Sequence, residues 1–277
     1  MLRLRVVTGI VAACVVLPAI LLLPAPWLVL AAGGAVILAA REWARIAGVV
    51  ALAYQVTYAV MVAALALAAW WFAQQVCGVW LASAVVFWCL GGLWLLRGGA
   101  PRPARRTGAR WGWLAIGLIL LPSLVLSIGV LGERADWVGR GLLLYTVALV
   151  WAADIGAYFA GRRWGRHKLA PRVSAGKTLE GLAGGVVGVV VYALAGAWIF
   201  EVGGDRIAAW LGVAVFAGLL SVAGDLLESV LKREAGVKDS GALLPGHGGL
   251  LDRIDSLIAA APAMVLGLVW LERAALP

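Results

Sequence analysis

A chain of 277 residues that is 64% hydrophobic and only 13% charged, with a mean hydropathy of +0.98, lies outside the range of a water-soluble globular domain. Its net charge of +9 would suit nucleic acid, but the cations fall in short connections between apolar runs rather than on one soluble face. Membrane lipids with anionic headgroups are the expected counter-ions, nucleic acid is not an expected partner, and the expected fold class is all-α, a polytopic transmembrane helical bundle.

A bilayer core needs roughly 20 mostly apolar residues per helix. Such runs predict about nine spans, at 6–23, 26–40, 50–72, 77–96, 112–131, 141–160, 181–200, 208–227 and 256–271. The second is short, and only Pro24-Ala25-Pro26 separates it from the first, so a re-entrant hairpin is the alternative there. Arg3 and Arg5 ahead of an apolar run also fit a signal peptide, but no small-residue cleavage site leads into a polar segment, and an uncleaved helix is expected. Cys14, Cys77 and Cys89 fall inside apolar spans, as reduced and packed thiols do; neither a disulfide nor a metal site is expected of them.

Residues 1–140 carry almost no ionisable side chain within their spans and are rich in Ala, Gly, Val and Trp, so they read as hydrophobic scaffold. Residues 141–277 place polar side chains within or at the ends of spans, where burial is costly, and read as the catalytic membrane domain. In a nine-span arrangement all of the 23 lysines and arginines except Arg134, Arg140, Arg206 and Arg273 fall on the side of the N-terminus. Positive loops stay inside, so the N-terminus and the polar loops are expected on the cytoplasmic face of the cell (inner) membrane.

Three constellations carry the chemistry. In the first, Asp154, Tyr158 and Gly161 are spaced i, i+4, i+7 on one helix face; Asp154 is either functional or paired with an arginine of the following loop. In the second, Ser174-Ala-Gly-Lys-Thr-Leu-Glu-Gly181 opens the seventh span. A Gly176-Lys177-Thr178 turn at a helix N-terminus would offer amides, an ammonium and a hydroxyl to a phosphate. Pro171 stands where a Walker A loop needs glycine, and the alternative is a simple helix cap with Glu180 in the first turn.

The third begins on the eighth span, where Ser221, Asp225, Glu228, Ser229 and Lys232, spaced by three and four, form a polar stripe. A loop with Pro245-Gly-His-Gly-Gly249 follows, and then Asp252 and Asp255 share a face as the ninth helix begins. Mg²⁺ takes one or two carboxylates plus substrate phosphates, so aspartates among many cations suggest a metal–phosphate site. Singly, Asp255 could be an N-cap, His247 a loop hydrogen-bonder, and Lys232 with Arg233 surface anchors. One loop holding all of these at once favours chemistry.

The run Ser229-x-Leu231-Lys232-Arg233, Lys238-Asp239-x-Gly241, Leu244-Pro245-x-His247-Gly248-Gly249, Asp252-Arg253-x-Asp255 closely resembles the signature of phosphatidate cytidylyltransferases, also called CDP-diacylglycerol synthases. Counterparts of Asp154 to Lys168, Lys177-Thr178-x-Glu180-Gly181 and Gly224-Asp225 extend the resemblance over roughly 150–256. Ala175 departs from it, since the family has proline after the serine. The resemblance implies that CTP or dCTP reacts with phosphatidic acid to give the CDP-lipid and pyrophosphate, in a homodimer. It implies Mg²⁺, with a second, monovalent cation beside it as a further option, on Asp225 and Asp252, with Asp239 and Asp255 as backups. Lys177 and Lys238 join those two aspartates as catalytic residues, and Ser174, Thr178, Ser229, Lys232, Arg233, His247, Arg253 and Asp154 bind substrate. A polyprenol kinase or phosphosugar transferase is the nearest alternative; an ion-coupled transporter would show broken helices in matched halves.

Overall fold

A computed structural model describes residues 2–101, 109–133, 137–243, 246 and 248–273. Arg134 and His247 lie outside the described residues. The described chain forms α1 (Leu2–Leu22), α2 (Ala25–Ile46), α3 (Leu52–Trp71), α4 (Ala73–Leu96), α5 (Trp111–Gly132), α6 (Trp137–Trp164), β1 (Lys168–Ala170), β2 (Ser174–Thr178), α7 (Leu179–Ile199), α8 (Ile207–Glu234) and α9 (Leu251–Arg273). The eight helices from α2 onward are long and apolar enough to cross a membrane, and α1 adds the shorter apolar stretch Ala13–Leu22.

The second helix differs most from its sequence reading. Hydropathy drops at Arg41, Glu42 and Arg45, yet the helix runs on to Ile46 because Trp43, Ala44 and Ile46 continue its buried face. Its 22 residues make about 33 Å, a crossing rather than a re-entrant turn. At 28 residues each, α6 and α8 reach about 42 Å. That exceeds a hydrocarbon slab of about 30 Å, so their surplus turns can stand at headgroup level carrying Arg162 and Arg163, or Ser229, Lys232 and Arg233.

The centre of the bundle is α5, whose Leu120, Leu121, Val125 and Leu126 are fully buried; an apolar helix with no polar stripe belongs inside. It packs on α2, α3 and α9, while α4 lies on α8 and α9. Two close helix pairs, α6 with α7 and α8 with α9, build the C-terminal part. Glycine makes the second approach possible. A Cβ at Gly224 would sit 2.7 Å from the Asp255 carbonyl oxygen and 2.8 Å from the Ala259 Cβ, so only a hydrogen lets α8 close on α9 there.

Where a basic loop was expected, β1 and β2 pair antiparallel with Lys168 opposite Thr178 and Ala170 opposite Ser174. The hairpin is anchored by buried Ala170 and Val173, and the Arg233 Nε on α8 donates to the Val173 carbonyl at 3.4 Å. Arg110 donates to the carbonyls of Ile46 and Glu234, and Arg45 donates to that of Ser240. These bonds gather the cation-rich ends of α2, α5 and α8, the hairpin and the loop before α9 at one end of the bundle.

Candidate active site

On α8, the spacing of Asp225, Glu228, Ser229 and Lys232 is realised as one stripe facing α9 and the hairpin. A carboxylate at this depth needs a counter-charge, and the stripe supplies one. Lys232 Nζ lies 2.5 Å from Glu228 Oε2 and 2.8 Å from Asp252 Oδ1, so one lysine joins two carboxylates on two helices. Glu228 is 2% exposed and Lys232 9%.

Asp252 sits in the first turn of α9, where the helix N-terminus favours negative charge. Besides Lys232 it accepts from Gly249 N at 2.8 Å and from Ser240 N at 2.9 and 3.1 Å. These donors use most of the acceptor capacity of a carboxylate. The turn that brings them there needs Gly248, whose φ is +87° and whose Cβ would press on Asp252 Oδ2 at 2.6 Å.

Asp225 is held differently. Its Oδ2 pairs with Lys177 Nζ at 2.7 Å, and among the described residues its Oδ1 meets only the Ser229 hydroxyl, at 3.4 Å. Lys177 comes from β2, not from a helix N-terminal turn; at that N-terminus Thr178 alone acts as cap, its Oγ1 accepting from Gly181 N at 3.1 Å. Expected as part of a phosphate-binding turn, this segment is thus a strand that delivers the lysine and a capped helix start. Glu180 clasps the chain just before the hairpin, accepting from the amides of Arg166 and His167 and contacting the His167 ring at 2.6 Å.

Asp154 and Lys177 line one cavity, Lys177 pairs with Asp225, Lys232 ties α8 to Asp252, and the Asp255 backbone closes on Gly224, so α6, α8, α9 and the hairpin converge on one carboxylate-and-cation cluster. A cavity of about 360 Å³ opens next to it, lined by Asp154, Tyr158, Arg162, Lys177 and Thr178. A second, almost wholly apolar cavity of about 290 Å³ lies between α4 and α8 and shares Leu169, Leu182 and Val222 with the first. Arg233, Lys238, Asp239 and Arg253 are exposed around the cluster, and Ser174 begins β2 opposite Ala170.

One residue escaped the sequence reading. Glu42 of α2 accepts from Ser240 Oγ at 3.0 Å, Leu250 N at 3.2 Å and Leu251 N at 2.8 Å. Its signal was a single carboxylate between Arg41 and Arg45 at the end of an apolar run, the kind of position where an ionisable group is usually functional.

Lysine–carboxylate pairs at one end of a helical bundle, beside a cavity that carries charged side chains and adjoins an apolar one, are the arrangement of a membrane-embedded enzyme for an amphiphilic, anionic substrate. The model of the cytidylyltransferase family matches residues 3–271. A phosphatidate cytidylyltransferase of Pseudomonas aeruginosa is 40% identical over 271 residues, 98% of this chain and 97% of that one. Enzymes of the same name from Haemophilus influenzae and Synechocystis are 53% identical over 131 residues and 46% identical over 138, covering 45% and 47% of this chain and 44% and 45% of theirs. The chain belongs to the cytidylyltransferase family, and it is a nucleotidyltransferase.

Proposed function

We propose that the chain transfers the cytidylyl group of CTP to phosphatidic acid, giving CDP-diacylglycerol and pyrophosphate. The observation that carries this reading is a pair of adjoining cavities: Asp154, Arg162 and Lys177 bring charge to one, hydrocarbon lines the other, and Leu169, Leu182 and Val222 form walls of both. A lipid phosphate and its acyl chain need that combination. Membership of the family and the names of its relatives support the choice of nucleotide and lipid.

The phosphomonoester of phosphatidic acid has a second pKa of about 6 and is largely dianionic, so it needs no strong base to attack. One of its oxygens forms a bond to the α-phosphorus of CTP while the bond from that phosphorus to the bridging oxygen of pyrophosphate breaks. The task of the protein is to bring two polyanions together in line and to balance the charge on the leaving group. Lys177, Lys232, Arg233, Lys238 and Arg253 supply that charge. Ser174 and Ser229 add hydrogen-bonding capacity, and the family resemblance adds His247 as a further substrate-binding residue.

Mg²⁺ fits the donor set. Asp225 Oδ1 has only a long hydroxyl contact, and no three His, Cys, Asp or Glu side chains converge as a closed cage among the described residues. Mg²⁺ keeps one or two carboxylates and takes its other ligands from water and phosphate. Asp225 and Asp252 would hold it, with Asp239 and Asp255 nearby and a monovalent cation as second ion; bound there, it would neutralise charge on the triphosphate. Lys177, which balances Asp225 here, would then turn to a phosphate oxygen, while Lys232 keeps its place between Glu228 and Asp252 and lends its charge. The charge distribution supports a cytoplasmic site in the inner membrane, and the family resemblance supports a homodimer that accepts CTP or dCTP.

Purified protein given α-labelled CTP, phosphatidic acid and Mg²⁺ is expected to place label in a CDP-lipid. Label in lipid only when a polyprenol replaces phosphatidic acid, or no labelled lipid at all, would refute the proposal.

A further inference from the structure

Asp252 owes its orientation to the amides of Ser240 and Gly249, and those amides belong to a loop with little regular structure. What fixes the loop comes from the far half of the chain. Glu42 reaches it from 209 positions before Leu251. Its Oε2 takes the Leu251 amide and the Ser240 hydroxyl, and its Oε1 takes the Leu250 amide. The adjacent Arg45 donates to the Ser240 carbonyl, so α2 grips both the hydroxyl and the backbone of a residue that is fully buried. A Cβ on Gly241 or Gly249 would run into the Glu42 carboxylate, so these two glycines leave the space it occupies.

Leu250 N and Leu251 N lie at the start of α9, where amides have no partner within the helix. A carboxylate at that place is favoured by the helix dipole as well as by hydrogen bonding. We infer that Glu42 is a positioning residue: it caps α9 from another helix and, through Ser240, holds the amides that aim the Asp252 carboxylate. The inference goes beyond the proposed reaction and leans on it only for the activity readout. A partner behind a reacting group typically matters by about 10- to 100-fold when removed.

The test uses full-length protein in lipid nanodiscs. Glu42→Ala is expected to lower kcat for CDP-lipid formation about 10- to 100-fold with KM for CTP within about threefold, and Glu42→Gln, which keeps one acceptor oxygen, to fall between it and wild type. Placed on Asp252→Asn, Glu42→Ala should cost less than about threefold more, because both changes act through one carboxylate. Amide exchange should rise across residues 238–252 in Glu42→Ala and Glu42→Gln while residues 179–199 of α7 stay protected. That exchange pattern is read without substrate, so it stands even if wild type makes no CDP-lipid, in which case the proposed reaction fails and the positioning role does not. A kcat within twofold of wild type, full additivity with Asp252→Asn, or exchange that rises uniformly along the chain would overturn the inference. Tyr58→Phe, which removes the bond from Tyr58 to the Leu114 carbonyl within the N-terminal half, is the control for general loosening and should leave kcat within about twofold.

Discussion

Two lysine–carboxylate pairs stand side by side in this molecule and are built on opposite principles. In the outer pair the Lys177 and Asp225 side chains are 27% and 34% exposed, and Lys177 lines the cavity that holds Asp154 and Arg162. In the inner one the Lys232, Asp252 and Glu228 side chains are almost wholly buried, and backbone amides complete the Asp252 shell. A half-exposed ion pair contributes about 0–1 kcal/mol and gives up its partner cheaply. A buried one whose cation is removed strands its anions. The outer pair is therefore suited to exchange its lysine for a ligand, and the inner pair to hold a geometry that exists before substrate arrives.

The largest effect should follow from breaking the inner pair. Lys232→Met leaves Glu228 and Asp252 without their shared cation, which costs about 3–5 kcal/mol. The expected result is little folded protein, read by size-exclusion profile and thermal unfolding in detergent, and no transfer activity. Lys232→Met combined with Glu228→Gln should recover much of the stability and none of the activity. If the single variant melts like wild type, the two pairs do not differ as described. Asp225→Asn comes next and should separate the two properties: stability within about 1 kcal/mol of wild type, because the pair is only partly buried, and activity down by about 100-fold or more. A large loss of stability in Asp225→Asn would erase the contrast.

This contrast was only partly legible in the sequence. Helical spacing placed Asp225, Glu228, Ser229 and Lys232 on one stripe and Asp252 with Asp255 on another, because a period of 3.6 is a local property. Which lysine meets which carboxylate is not local. Asp225 and Asp252 looked alike as metal candidates, and Lys177 and Lys232 alike as phosphate binders; the close approach at Gly224 and the hairpin register assign them to separate pairs. The hairpin itself gave no strand signal, since Ser174-Ala-Gly-Lys-Thr178 has neither alternation nor β-branched weight until its last residue. Glu42 was hidden for another reason: Arg41 and Arg45 end the hydropathic run although their exposed side chains let the helix continue, the usual behaviour of long cationic chains at a membrane surface. The spans survived best, because a hydrocarbon slab imposes one length on every helix.

The smallest effect concerns the apolar cavity that adjoins the outer pair. Leu219 lines it on α8 about one turn before Val222, which borders both cavities, so a larger side chain at 219 narrows the apolar cavity on the side away from the Asp225 stripe. An acyl chain that enters the cavity leaves one hydrocarbon environment for another, so transfer from water contributes nothing and only packing is at stake. Leu219→Trp should therefore lower kcat/KM for long-chain phosphatidic acid by only about two- to fivefold and leave a dioctanoyl substrate unchanged, as shape selection in an apolar pocket is weak. An equal loss with both lipids would mean that the tryptophan disturbs the Asp225 stripe instead, and no loss with either would mean that the chain lies elsewhere. A length-dependent loss with unchanged KM for CTP would tie the apolar cavity to the same lipid whose phosphate meets Lys177.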